Sequence, residues 1–112
     1  MDDMKKETEQ KIGQLQLLEQ SLQTFLMQKQ QFQAQLMEIN SALEELKDSK
    51  EAYKIVGNIM VKSTKEELEK DLTGKREMIE LRIKTLEKQE NQIREKASKM
   101  QSEVVSELKS KK

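Results

Sequence analysis

From Leu15 to Leu46, apolar side chains recur at alternating steps of three and four residues: Leu15, Leu18, Leu22, Phe25, Phe32, Leu36, Ile39, Leu43 and Leu46, with Lys29 as the polar interruption. That spacing is the seam of a helix packed along another helix. A second row, Leu72, Ile79, Leu86, Ile93 and Met100, repeats every seven residues, and Glu69, Arg76, Ile83, Glu90 and Ala97 precede its members by three. The two rows mirror each other about the Gly57–Asn58 bond, so that Leu43 matches Leu72, Leu36 matches Ile79, Leu22 matches Ile93 and Leu15 matches Met100. Mirrored seams about a turn dipeptide predict a mainly α fold, a long antiparallel two-helix coiled coil with helices over 5–47 and 64–110, in one domain spanning 1–112.

Around the mirror point the period changes. Tyr53, Ile55, Val56, Ile59, Met60 and Val61 bring β-branched and aromatic types together on both sides of Gly57-Asn58, a two-residue loop in which glycine supplies the positive φ. Strands are predicted over 52–56 and 59–63, with Val56 facing Ile59, Lys54 facing Val61, Ile55 facing Met60 and Tyr53 facing Lys62. Ser63-x-x-Glu66 and Thr64-x-x-Glu67 both fit a capping box at the start of the second helix. Capping also accounts for the acidic group Glu66, Glu67 and Glu69, which suits a helix N-terminus better than a metal site. Gly74 marks either a bend or a close approach in the second helix.

A two-stranded hairpin with apolar side chains on both faces cannot cover them alone, and its edges stay open. Tyr53, Ile55, Val56, Gly57, Ile59, Met60 and Val61 are therefore the candidate oligomerisation residues, and several hairpins side by side would close into a β-barrel base with the coiled coils projecting as arms. The mirror register puts both chain ends at the arm tip, where Lys11 would face Val104 and Thr8 would face Glu107, so the seam is expected to fail there. Met1, Met4, Ile12, Val104, Val105 and Leu108 would then lack partners and form a candidate client-binding tip; ordinary fraying of helix ends is the equal alternative. As a lone polar seam residue opposite Leu86, Lys29 is expected to fix register at a cost, so Lys29→Leu should raise the melting temperature.

Composition narrows the chemistry. Only 34% of the 112 residues are hydrophobic and 38% are charged, with no proline, which favours long solvated helices over a compact globule. Cysteine and histidine are absent, so no thiolate or imidazole can ligate a metal or act as nucleophile or base, and no cofactor is expected. The chain reads as a non-enzyme. Net charge is zero, without the basic stripe that nucleic acid requires. No apolar run is long enough for a membrane span and Met-Asp-Asp-Met-Lys-Lys lacks a signal core, so a cytoplasmic location is expected.

Tyr53-Lys54-x-x-Gly57-Asn58-Ile59-Met60-Val61, followed by the capped helix and by Arg82-Ile83-Lys84-Thr85-Leu86-Glu87-Lys88-Gln89-Glu90, resembles the β-type subunits of prefoldin. The first helix, glutamine-rich and ending Ala42-Leu43-Glu44-Glu45-Leu46, resembles them too, so the likeness covers nearly the whole chain; the Tyr-Lys-x-x-Gly hairpin is its most specific part. The resemblance implies an ATP-independent holdase: a hetero-hexamer of two α-type and four β-type subunits whose hairpins build a double β-barrel, with six arms that hold unfolded client proteins and pass them to a group II chaperonin. A single hairpin between the helices matches the β type, since an α-type subunit would carry two. The short ends lean toward an archaeal subunit over a eukaryotic paralogue. The competing reading is a coiled-coil scaffold or spacer with one fixed partner.

Overall fold

The computed structural model describes residues 2–110, with side chains over 5–109. Four elements follow in order: α1 (Asp2–Asp48), β1 (Ala52–Val56), β2 (Ile59–Ser63) and α2 (Lys65–Ser110). The residues divide into two compact units, one made of the chain up to Lys29 and from Thr85 onward, the other of Gln30–Lys84.

In the Gln30–Lys84 unit, side chains decide where the helices stop. The Thr64 hydroxyl accepts the Glu67 N–H at 3.2 Å and the Thr64 carbonyl accepts the Leu68 N–H at 3.1 Å, so Thr64 is the N-cap and α2 starts at Lys65. Glu67 does not close the reciprocal half of a capping box; its carboxylate accepts the Ser63 hydroxyl at 3.2 Å. At the end of α1, Lys65 Nζ donates to the Lys47 carbonyl at 2.6 Å, satisfying an acceptor that the helix leaves without an intrahelical partner.

The β1–β2 register follows the sequence pattern: Ala52 opposite Ser63, Tyr53 opposite Lys62, Lys54 opposite Val61, Ile55 opposite Met60 and Val56 opposite Ile59. Gly57 has φ of 64°, and no non-glycine among the described residues has positive φ, so the Gly57-Asn58 loop carries the φ signs of a type II′ turn. An added Cβ at Gly57 would meet nothing within 4 Å, which leaves backbone strain as the cost of a side chain there. Gly57→Ala is expected to destabilise the hairpin by about 1–2 kcal/mol, with Gly57→Asn milder because asparagine tolerates left-handed backbone. A subunit titration of assembly checks this, and equal midpoints for Gly, Asn and Ala would show that the turn is unconstrained.

The seam of this unit is apolar apart from the half-buried Arg76. Leu43 and Leu46 are buried, and Phe32, Leu36, Ile39, Leu72, Ile79 and Ile83 are half-buried. At the start of α2, Leu68 turns inward where the seven-residue repeat had placed Glu69, which is exposed. The Arg82 guanidinium lies 5.8 Å from the Phe32 ring centroid, a contact of about 0.5–1 kcal/mol at an exposed site. Gly74 sits in unbroken helix with nothing within 4 Å of an added Cβ, so no close approach requires it.

In the other unit, Leu15, Leu18, Leu22, Phe25, Ile93, Ala97 and Met100 are half-buried and Leu86 is buried, and the seam carries two polar clusters. The first corrects the expectation for Lys29. Its Nζ donates to Glu90 Oε2 at 3.1 Å, while Arg94 donates to Glu90 Oε1, also at 3.1 Å. Glu90 is only 7% exposed. The Arg94 hydrogen bond, with that of Lys29, holds its carboxyl below the ordinary value of 4.5. A carboxyl depressed on folding adds stability above its unfolded pKa and loses it as pH falls through the folded value, so this cluster weakens in acid below about pH 4.5.

Lys29→Leu therefore strips one of two cations from a buried carboxylate and is expected to lower the melting temperature, opposite to the expectation from the seam alone. Adding Glu90→Leu removes the stranded charge and restores an apolar seam, so the double variant should melt at least as high as wild type. Thermal melts of the four chains of this cycle decide it. A single variant as stable as wild type would mean that Lys29 does nothing for Glu90.

Candidate binding surfaces

The apolar hairpin side chains point into solvent. Exposure runs from 47% at Val61 to 70% at Ile55, with Tyr53, Val56, Ile59 and Met60 between, whereas Ala52 at the hairpin base is buried. Strand alternation puts Lys54, Val56, Ile59 and Val61 on one face and Tyr53, Ile55, Met60 and Lys62 on the other. Both faces are thus apolar and both strands are edges, an arrangement that a soluble monomer does not keep uncovered without consequence. Lys54 Nζ stands 3.8 Å from Asp71 of α2. Tyr53 donates its hydroxyl to Glu51 at 2.8 Å, and that bond raises the phenol's pKa above 10.0.

Where the chain ends meet, the structure differs from the expectation of a failed seam. Val104 is 7% exposed and Thr8 3%, so the heptad positions continue inward to both. The Thr8 hydroxyl donates to Glu107 Oε2 at 2.6 Å, and Lys11 donates to Glu107 and lies 3.5 Å from Glu103. The seam here carries the polar pairing of Thr8 and Lys11 with Glu107, and Val104 in it is a core residue and not an open contact. The Glu107 hydrogen bond raises the Lys11 pKa above 10.5; its contribution is present below that value and is lost as pH rises through the folded pKa. Ile12, Val105 and Leu108 are exposed as expected. Met1 and the side chain of Met4 lie outside the described residues.

Leu17 lies outside the heptad row. It is largely exposed and lines a shallow groove with Gln14, Leu18, Ser21, Lys96 and Met100. Its signal in the sequence is a leucine just outside the heptad row, next to Leu18. Among the described residues no cluster of carboxylates is placed to hold a metal ion, and no helix is long and apolar enough to cross a membrane.

This geometry has known counterparts. The family described as Prefoldin subunit matches residues 9–111. The prefoldin subunit beta of Archaeoglobus fulgidus is 41% identical over 93% of this chain and 92% of its own, and that of Methanospirillum hungatei is 37% identical over 100% and 96%. Among solved structures, the prefoldin beta subunit from Thermococcus strain KS-1 superposes with a TM-score of 0.85 at 34% identity, covering 89% of this chain and 90% of that one. With one apolar hairpin between two heptad helices and relatives that share it along nearly their whole length, the chain belongs to the prefoldin family, among its β-type subunits, which are chaperone components and not enzymes.

Proposed function

We propose that the chain is a holdase subunit that needs no ATP: it captures non-native proteins at its helix ends and passes them to a group II chaperonin in the cytoplasm. Its 112 residues act as one prefoldin-like domain, joined through the hairpin into a hetero-hexamer with α-type subunits and further β-type copies, two α to four β. The observation that carries the assembly half is the hairpin, where Tyr53, Ile55, Val56, Ile59, Met60 and Val61 are exposed in a chain of the prefoldin family. The capture half rests on Ile12, Val105 and Leu108, apolar and exposed near the helix ends.

The test is to assemble the chain with an α-type subunit and dilute a denatured client into the complex without nucleotide, following aggregation by light scattering. Suppressed scattering across several unrelated clients supports the holdase. Protection of none, with one stable protein partner bound instead, would favour a coiled-coil scaffold with a fixed partner.

A further inference from the structure

One glycine has no reason within its own chain. Gly74 is exposed in unbroken α2, and an added Cβ there would meet nothing within 4 Å. Glycine weakens a helix interior more than any residue but proline, so an open helical position favours alanine or a longer straight side chain. Met78 lies four residues after Gly74, and Leu81 three after Met78, which puts all three on one face of α2. Met78 is 60% exposed and Leu81 64%. The face thus sets bare backbone beside two large apolar side chains over about 10 Å of helix. Met37 of α1 is a contrast: it is 72% exposed, but among the described residues no second large exposed apolar side chain lies within a turn of it.

This face adjoins the hairpin. Asp71, one turn before Gly74, has the Lys54 ammonium of β1 3.8 Å from its carboxylate, and Lys54 shares its side of the hairpin with Val56, Ile59 and Val61. A subunit that covers that side of the hairpin has this stretch of α2 next to it. Glycine on an outer helix face lets a second chain approach the backbone closely, and large side chains one turn on pack against whatever approaches. Two copies related by a two-fold axis meet through the same patch on each, so one patch must supply both the hollow and the projections. Gly74 with Met78 and Leu81 supplies both.

We infer that the α2 face of Gly74, Met78 and Leu81 is a second contact surface between copies of this chain, with Gly74 of each copy as the hollow that receives an apolar side chain of the other. This rests on the proposed assembly through the hairpin and extends it: the strands join the subunits, and α2 adds a helix contact beside them.

The chain has no cysteine, so single-cysteine variants report the contact cleanly. Met78→Cys and Met37→Cys chains are each assembled with a cysteine-free archaeal α-type prefoldin subunit and treated with a short bismaleimide. Met78→Cys is expected to give linked pairs of this chain, and Met37→Cys at least ten-fold fewer. Gly74→Ala and Gly74→Gln supply a second readout with opposite signs. Both should raise the helical melting temperature of the chain alone, since each improves the helix. Both should also weaken association between copies, Gly74→Gln by about ten-fold in a subunit titration, because its side chain fills the hollow. A glycine that served only its own helix would not separate these two effects. Absence of Met78→Cys pairs, whether the α-type subunit or nothing covers the face, would overturn the inference, as would Gly74→Gln associating as tightly as wild type. A chain carrying Ile59→Lys and Val61→Lys is measured alongside. If it loses assembly while the α2 tests fail, the hairpin stands and only the helix contact is rejected; if it assembles normally, the hairpin reading fails too.

Discussion

Replacing both Ile59 and Val61 with lysine is expected to release the subunit from its oligomer while leaving its helical circular dichroism nearly unchanged. The two side chains lie two residues apart on one face of β2, exposed by 67% and 47%, so they are available to a partner. Covering such side chains contributes about 1.5–3 kcal/mol each, and losing two weakens each hairpin contact by about 3–6 kcal/mol, or roughly two to four orders of magnitude in dissociation constant. Two added ammonium groups must also be desolvated if the contact still forms, which deepens the loss. The helices are insulated from this change, because their seams are built from Leu43, Leu46, Leu86 and the half-buried residues of α1 and α2 and not from the hairpin's exposed residues. Sedimentation and circular dichroism on the same samples separate the two effects. A double variant that still sediments as the full oligomer would place the subunit contact elsewhere.

The hairpin was legible in the sequence because its signals agree: β-branched density, a two-residue loop with glycine first, and a mirror point shared with both heptad rows. The seam was legible where it is apolar, except at the start of α2, where Leu68 and not Glu69 turns inward. Its polar positions were misread, and side-chain direction explains why. Helical side chains lean toward their own N-terminus, so in an antiparallel pair two long side chains on facing helices lean in opposite senses along the pair. Lys29 has Leu86 as its mirror partner, but it leans toward the turn that faces Glu90, and Glu90 leans back toward it. Lys11 and Glu107 meet in the same way, one turn off the mirror pairing of Lys11 with Val104. Short Thr8 reaches its direct mirror partner, Glu107. A register read from Cα positions therefore finds apolar neighbours and misses long ion pairs.

That misreading also blurred the binding surface. Polar heptad positions suggest the end of the seam and so put Val104 among the open residues, whereas it is buried in a seam that continues through the pairing of Thr8 and Lys11 with Glu107. Ile12, Val105 and Leu108 fall outside the heptad row and were correctly placed in solvent, because position on the helix face, and not partner identity, decides their exposure. Client identity leaves no trace in the chain, since the proposed client surface would need apolar area and no specific geometry.

Changing Ile12, Val105 and Leu108 together to serine should abolish most of the proposed ability of the complex to suppress client aggregation, without altering its mass and with a modest fall in melting temperature. These side chains are 40%, 44% and 51% exposed, so about half of each is open to a client while the rest already lies against the chain itself. Against a client, each contributes at most about 1.5–3 kcal/mol when fully covered, and association itself costs several kcal/mol, so a single subunit binds weakly. On the proposed function, capture would depend on several subunits holding one client, and a modest loss per subunit would be multiplied across the complex. Val104→Ser is the counterpart: at 7% exposure it should lower the melting temperature, with a cost of about 1–3 kcal/mol, while leaving capture below that temperature largely intact. Light scattering of a diluted denatured client, with melts of the same complexes, separates the two outcomes. Full protection by the triple serine variant would move the client surface away from the helix ends, with the groove beside Leu17 and Met100 next to be tested.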